Sequence, residues 1–166
     1  MTAEPPAAAR GETSIRPATP GERPRLEALL VEASAALGYS DDLVAEIRRH
    51  APDDPALASE AFDDGRVLVA VERGLVLGFA AVDPPDADGH SELTGLFVAP
   101  AAWRTGIGSR LVDAASELAA TWGAVALRVV GSTEFYLRTG WRIVAETGTP
   151  LGQPAWVLER PIVRER

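Results

Sequence analysis

The stretch Val98-Ala-Pro-Ala-Ala-Trp-Arg-Thr-Gly-Ile-Gly-Ser-Arg-Leu111 sets two glycines between a strand and a helix. Upstream, Ser91-Glu-Leu-Thr-Gly-Leu-Phe-Val98 reads as a strand that Pro100 ends, because proline supplies no N–H to a ladder. Downstream, Ile107, Leu111, Ala115, Leu118 and Trp122 recur at helical spacing on one face, with Arg110, Asp113 and Glu117 elsewhere. Gly106 and Gly108 thus fall at the open N-terminus of that helix. The N–H groups there lack partners, and the summed peptide dipoles amount to roughly half a positive charge. A diphosphate satisfies several such donors together, and glycine, without a Cβ, lets the backbone come close to it.

Other phosphate motifs fail at this stretch. A dinucleotide fingerprint wants a third glycine three residues after Gly108, where Leu111 stands. A Walker-type loop wants Gly-Lys-Ser/Thr ahead of its helix, and the stretch has none. A nucleotide-binding regulator using the same glycines is therefore the weakest of the function classes considered.

The residues that remain resemble the GNAT superfamily of N-acyltransferases. Its hallmark is a strand ending in Val-x-Pro, then Arg/Gln-x-x-Gly-x-Gly/Ala, then a helix, matched here at Val98, Pro100, Gly106 and Gly108. Trp103 fills the Arg/Gln position and Arg104 follows it. The segment Glu134-Phe-Tyr-Leu-Arg-Thr-Gly-Trp141 is similar to the family's Tyr-x-x-x-Gly-Phe, at Tyr136 and Gly140. The Asn-x-x-Ala stretch that often precedes that tyrosine has no match in Val130-Gly-Ser-Thr-Glu134.

The resemblance, covering about Ile15 to Ile162, implies an α/β chain with the GNAT fold: a mixed, mostly antiparallel sheet of about seven strands with about four helices. It also implies that the strand ending at Val98 splays from the next strand, Ala124 to Val130, to admit coenzyme A. Leu96 and Val98 are then candidates to pair with the amide-bearing pantetheine arm, since splaying leaves their backbone groups unpaired. Arg104, Thr105, Gly106, Gly108 and Ser109 are the remaining coenzyme-binding candidates, with Trp103 packed beneath the loop. Gly95 inside the strand is consistent with a bulge.

The activity implied is transfer of an acetyl group from acetyl-CoA to a primary amine of a small molecule or protein. Such a reaction needs a base for the ammonium, a donor for the oxyanion and an acid for the departing thiolate. Glu92 is the candidate base, directly or through water; by period two it shares a strand face with Thr94, Leu96 and Val98. His90 is the second candidate. The resemblance makes Tyr136 the acid, and a backbone N–H near Leu96 suits the oxyanion. The alternative is a non-catalytic acyl-CoA-binding sensor, motivated by the absent Asn-x-x-Ala stretch.

Composition narrows the field. The 166 residues, 46% of them hydrophobic, fit one domain, expected over residues 14–166 behind a disordered tail at 1–13 that is rich in alanine and proline. Lys+Arg 16 against Asp+Glu 24 gives a net charge of −8, which disfavours nucleic acid as a partner. The absence of cysteine excludes a disulfide framework, thiolate metal ligands and a covalent cysteine intermediate, and makes direct transfer the simpler mechanism. No metal is expected: Asp86, Asp88 and Gly89 lack the spacing and glutamate of a calcium loop and read as a turn. No stretch suits a signal peptide or a membrane span, so a cytoplasmic protein is expected, with no membrane partner. The exposed faces of the last strands leave a homodimer open.

The rest of the chain reads as a strand at Ile15, a helix opened by the capping box Thr19-Pro-Gly-Glu22 and continued to Gly38, and a second helix capped by Ser40. A hairpin follows, Arg66 to Val71 and Leu75 to Val82, then the glycine loop and its helix, a strand, a short helix carrying Tyr136 and a final strand pair.

Overall fold

A computed structural model describes residues 12–131, 133–148, 152 and 154–163. The expected tail at 1–13 lies almost wholly outside the described residues.

The strands are β1 (Ser14–Pro17), β2 (Val67–Glu72), β3 (Leu75–Val82), β4 (His90–Val98), β5 (Ala126–Gly131), β6 (Arg142–Gly148) and β7 (Pro154–Pro161). They form one sheet in the order β1-β2-β3-β4-β5-β7-β6, antiparallel throughout except for the β4–β5 pair. The helices are α1 (Arg23–Ala36), α2 (Asp41–His50), α3 (Ser59–Asp63), α4 (Ile107–Thr121) and α5 (Thr133–Arg138). There are thus five helices among the described residues where the sequence led us to expect four. The fifth is α3, a single short turn whose Ala61 and Phe62 are buried, overlapping the stretch Pro55 to Phe62 that reads in the sequence as a candidate further turn of helix.

Local chemistry accounts for the element ends. Arg73 and Gly74 both take left-handed φ (52° and 76°), the conformation of a tight hairpin turn whose twist suits the flanking strands β2 and β3. The Thr19–Glu22 capping box is present, but it closes a 3-10 turn over Pro20–Glu22, and α1 proper begins at Arg23 with a proline in its first turn. Ser40 caps α2, its Oγ accepting from the Leu43 N–H at 3.2 Å.

The sheet has a core on each face. On one, α4 lays Ile107, Leu111, Val112, Ala115 and Ala119 against Leu68, Ala70, Ala80, Val82, Leu93, Leu127 and Leu158. On the other, Leu26 and Leu29 of α1 join Leu57 and Phe62 over Val67, Val69 and Phe79. Fully burying a Leu or Phe side chain stabilises by roughly 1.5–3 kcal/mol, so these two layers hold α1 and α4 firmly against the sheet. The α1 layer covers β2 to β4 only. Among the described residues no helix covers β5, β7 and β6 on that face, where Val130 is exposed and Arg128 half-buried.

Candidate active site

The parallel β4–β5 ladder is short. It pairs His90 with Ala126, Ser91 with Leu127 and Glu92 with Arg128, and stops there, although β4 runs on to Val98 and β5 to Gly131. Beyond Glu92 the two strands diverge, leaving a gap in the middle of the sheet.

A bulge decides which way β4 faces along that gap. Ala81 pairs with Gly95 but Val82 pairs with Leu93, so Thr94 is the extra residue, and its Oγ1 donates to the Ala81 carbonyl at 3.3 Å. A Cβ on Gly95 would meet Ala56 Cβ and a Phe79 ring carbon at 3.2 Å, so glycine lets the bulged strand pack closely on the α1 side. The extra residue reverses the alternation. Leu93 packs in the α4 core, and so do Leu96 and Val98, whereas Phe97 packs in the α1 core. Glu92, next to Leu93 on an alternating strand, therefore points to the α1 face. The expectation that Glu92 and Thr94 share a face with Leu96 and Val98 is corrected: the bulge puts the carboxylate on one side of the sheet and the two aliphatic residues on the other.

The backbone of Leu96 and Val98 is directed into the gap. The Ala99 N–H donates to the Leu77 carbonyl at 2.8 Å, and antiparallel bonding alternates, so Phe97 and Ala99 bond to β3 while Leu96 and Val98 turn their N–H and C=O groups away from it. The Val98 carbonyl accepts from the Trp103 indole Nε1 at 2.8 Å. Trp103 is 38% exposed, which corrects the expectation that it packs beneath the loop. Its ring instead bridges the loop to the end of β4.

The loop itself delivers an uncapped helix. Gly106 is the N-cap of α4 with φ at +86°, it has no side chain to cap the first turn, and the helical ladder begins with the Arg110 N–H donating to the Gly106 carbonyl at 3.1 Å. The amides of Ile107, Gly108 and Ser109 are thus left without intrahelical acceptors, and the first turn contains no acidic residue. Arg104, exposed and also left-handed with φ at 64°, stands just ahead of them, and the Thr105 hydroxyl donates back to the Ala102 carbonyl. A Cβ on Gly108 would meet the Phe135 ring at 3.2 Å, so α5 closes directly against the start of α4.

Tyr136 lies on the α4 face at the far end of β5. Its ring makes edge contacts with Phe135 (5.3 Å, 79°) and Trp141 (5.1 Å, 72°), and it lies so close to Gly131 that a Cβ there would meet Tyr136 Cε2 at 3.2 Å. Burial pushes its phenol well above the usual range, so the hydroxyl keeps its proton at any ordinary pH.

On the α1 face the last ladder step is more polar than the sequence suggested. Glu159 of β7 sits across from Arg128 and accepts from its Nη2 at 3.2 Å; Arg142 Nη2 lies 3.6 Å away and His90 Nε2 3.9 Å away. Burial pushes the Glu159 carboxyl up, but the Arg128 hydrogen bond and the charges of His90, Arg128 and Arg142 outweigh it and hold the group below the usual carboxylate range. The aspartate loop is a turn: Asp86 Oδ1 accepts from the N–H groups of Asp88 (2.9 Å) and His90 (3.0 Å), bonds that lower its pKa.

A family model described as the acetyltransferase (GNAT) family matches residues 36–141, more than half of the chain. The chain belongs to the GNAT family. The solved structures it is similar to agree in fold. The PaiA N-acetyltransferase from Thermoplasma acidophilum, in complex with coenzyme A, is 17% identical with a TM-score of 0.75, over 90% of this chain and 99% of that one. A GCN5-related N-acetyltransferase from Rhodopseudomonas palustris is 23% identical with a TM-score of 0.76, over 92% and 97%. An aminoglycoside 6'-N-acetyltransferase complexed with coenzyme A is 18% identical with a TM-score of 0.64, over 92% and 99%. No curated protein matches the chain. As a GNAT protein it is an acyltransferase by family, and the residues that carry the resemblance, Val98, Pro100, Gly106 and Gly108, lie at the end of β4 and in the glycine turn ahead of α4. No helix among the described residues is long and apolar enough to cross a membrane.

Proposed function

We propose that this GNAT protein moves an acetyl group from acetyl-CoA to a primary amine by direct attack through a tetrahedral intermediate. The observation that carries the reading is the gap between β4 and β5 opening beside the uncapped start of α4. The amides of Ile107, Gly108 and Ser109, with Arg104 and Thr105 ahead of them, would hold the diphosphate. Leu96 and Val98 would extend the broken ladder by pairing with the pantetheine amides.

The two faces of the gap divide the proton chemistry. Glu92, on the α1 face, accepts the proton of the acceptor ammonium, directly or through water, and the freed amine attacks the thioester carbonyl. The backbone N–H of Leu96, aimed into the gap, donates to the oxyanion. The nitrogen of the tetrahedral intermediate loses its extra proton to solvent, the carbon–sulfur bond breaks as the carbon–nitrogen bond is kept, and Tyr136, on the α4 face, gives its proton to the departing thiolate and regains one from solvent. Burial keeps that phenol protonated in the resting site, so the proton is present when the thiolate leaves.

The test is thiol release from acetyl-CoA against polyamines, aminoglycosides, amino acids and peptide N-termini. Release with at least one amine, dependent on Glu92 and Tyr136, is the expected result. Coenzyme binding with no release for any amine would favour an acyl-CoA sensor instead.

A further inference from the structure

The uncovered part of the α1 face carries an unusual grouping of charge beside the candidate base. Arg128, Arg142 and His90 all approach the single carboxylate of Glu159, which is only 14% exposed. The Asp86 carboxylate also feels the charges of Arg128 and His90, so the group is close to balanced in charge, but the two guanidiniums carry more N–H donors than Glu159 accepts. Arg142 is 71% exposed and Arg128 37%, so both present donors to solvent. Two further atoms, Arg128 Nε and His90 Nδ1, are buried without a partner, so part of the cluster's hydrogen-bonding capacity is unused.

Next to these unused donors stands a free acceptor. Glu92 is exposed and, among the described residues, makes no ion pair, although it neighbours Arg128 in the ladder and shares its face. Adjacent strands lie about 4.8 Å apart, so a free carboxylate and a partly free guanidinium are held within the span of one small molecule.

We infer that the acceptor is an amino acid, whose ammonium faces Glu92 and whose carboxylate is held by Arg128 and Arg142. This rests on the acetyltransferase reading above and narrows it to a substrate class. Glu159 is a positioning residue in this arrangement: it anchors Arg128 and Arg142 from between them while leaving donors on each for a second carboxylate. Arginine suits the task because its planar fork can serve two carboxylates at once.

The experiment compares amino acids with their carboxamides and decarboxylated amines in thiol release from acetyl-CoA by the full-length protein. A charge-assisted hydrogen-bonded contact of this kind corresponds to a roughly ten- to hundredfold preference in kcat/KM for the carboxylate form, carried mainly by KM. Arg128→Gln and Arg142→Gln should each erode the preference, raising KM for the amino acid by a larger factor than for its carboxamide. Arg142 is exposed enough that its variant folds even if the Arg128 variant does not. Equal kcat/KM for an amino acid and its carboxamide, a preference unchanged in both variants, or better turnover of aminomethylphosphonate than of glycine would overturn the assignment. If no amine releases thiol, the transfer reading fails. Calorimetric titration of N-acetyl amino acids and their amides into the protein with coenzyme A then decides the binding claim by itself: tighter binding of the carboxylate supports it, and equal or absent binding overturns it.

Discussion

Replacing Tyr136 by phenylalanine separates the acid from the packing that holds it. The substitution keeps the ring, and with it the edge contacts to Phe135 and Trp141 and the seat against Gly131. Stability should change by less than about 1 kcal/mol, which for a chain of this size keeps Tm within roughly 2–4 °C of the parent. Turnover should behave differently. A positioned general acid contributes about 10²–10⁴ in rate, or roughly 2.7–5.5 kcal/mol of barrier. A thiolate is the easier kind of leaving group, with a parent thiol pKa of about 8.5, so the lower end applies and kcat should fall about a hundredfold. The pH profile supplies a second reading. A tyrosine acid fails as pH rises through its pKa, and burial has moved that pKa upward, so the parent enzyme should show no alkaline loss attributable to Tyr136 below about pH 10. The assay is steady-state thiol release across pH, with thermal melts and coenzyme titrations alongside. A kcat within twofold of the parent would remove Tyr136 from the chemistry. A fall in kcat accompanied by a Tm loss well beyond 4 °C would assign the residue to packing instead.

Two further outcomes follow from the geometry. Gly106→Ala should cost about 1–2 kcal/mol, because φ at +86° is strained for any residue with a Cβ even though the space around it is open; Tm should drop by roughly 2–8 °C, coenzyme A should bind more weakly by calorimetry, and Gly106→Asn should recover part of both. Glu22→Gln should weaken the start of α1, where Arg16 donates to both carboxylate oxygens (2.8 and 2.9 Å) and the Thr19 N–H to one (2.9 Å). The Arg16 hydrogen bond is the largest cause holding the Glu22 pKa down at about 2. A depressed folded pKa gives stability that is fully present above the unfolded value of about 4.3 and is lost as pH falls through about 2. The parent should therefore exceed Glu22→Gln by about 0.5–2 kcal/mol in denaturant melts at pH 7, with the difference closing between about pH 5 and pH 2. A gap independent of pH would rule out the ionic origin.

What could be read from the sequence was whatever is written within one element and its neighbours. The hairpin turn at Arg73-Gly74, the apolar stripe of α4 and the glycines ahead of it all depend on residues a few positions apart. The bulge at Thr94 does not. It arises where β4 meets Ala81 and Val82 of β3, so strict alternation wrongly joined Glu92 to Leu96 and Val98. Trp103 was likewise misread, because the acceptor of its indole, the Val98 carbonyl, is freed only when β5 diverges from β4. The cluster around Glu159 was invisible for a topological reason. β7 inserts between β5 and β6, so a residue near the end of the chain comes to lie between Arg128 and Arg142, which a sequential reading of the strands would have made neighbours.

These same non-local features give the site its division of labour. If β4 alternated without interruption, Glu92 would face the same side as Leu96 and Val98, against α4, and a carboxylate would be driven into the larger apolar core at a cost of several kcal/mol. The extra residue at Thr94 removes that conflict and leaves Glu92 in solvent beside Arg128. The α4 face is then free to be apolar around Tyr136, where burial keeps the phenol protonated, while the α1 face is free to be charged. Solvent and the neighbouring Arg128 charge keep a carboxylate ionised, the form that can accept a proton, while burial keeps a phenol in the form that can give one. The proposed roles of Glu92 and Tyr136 rest on one gap with two differently solvated sides, and it exists because two strands that pair at Glu92 and Arg128 do not pair beyond them.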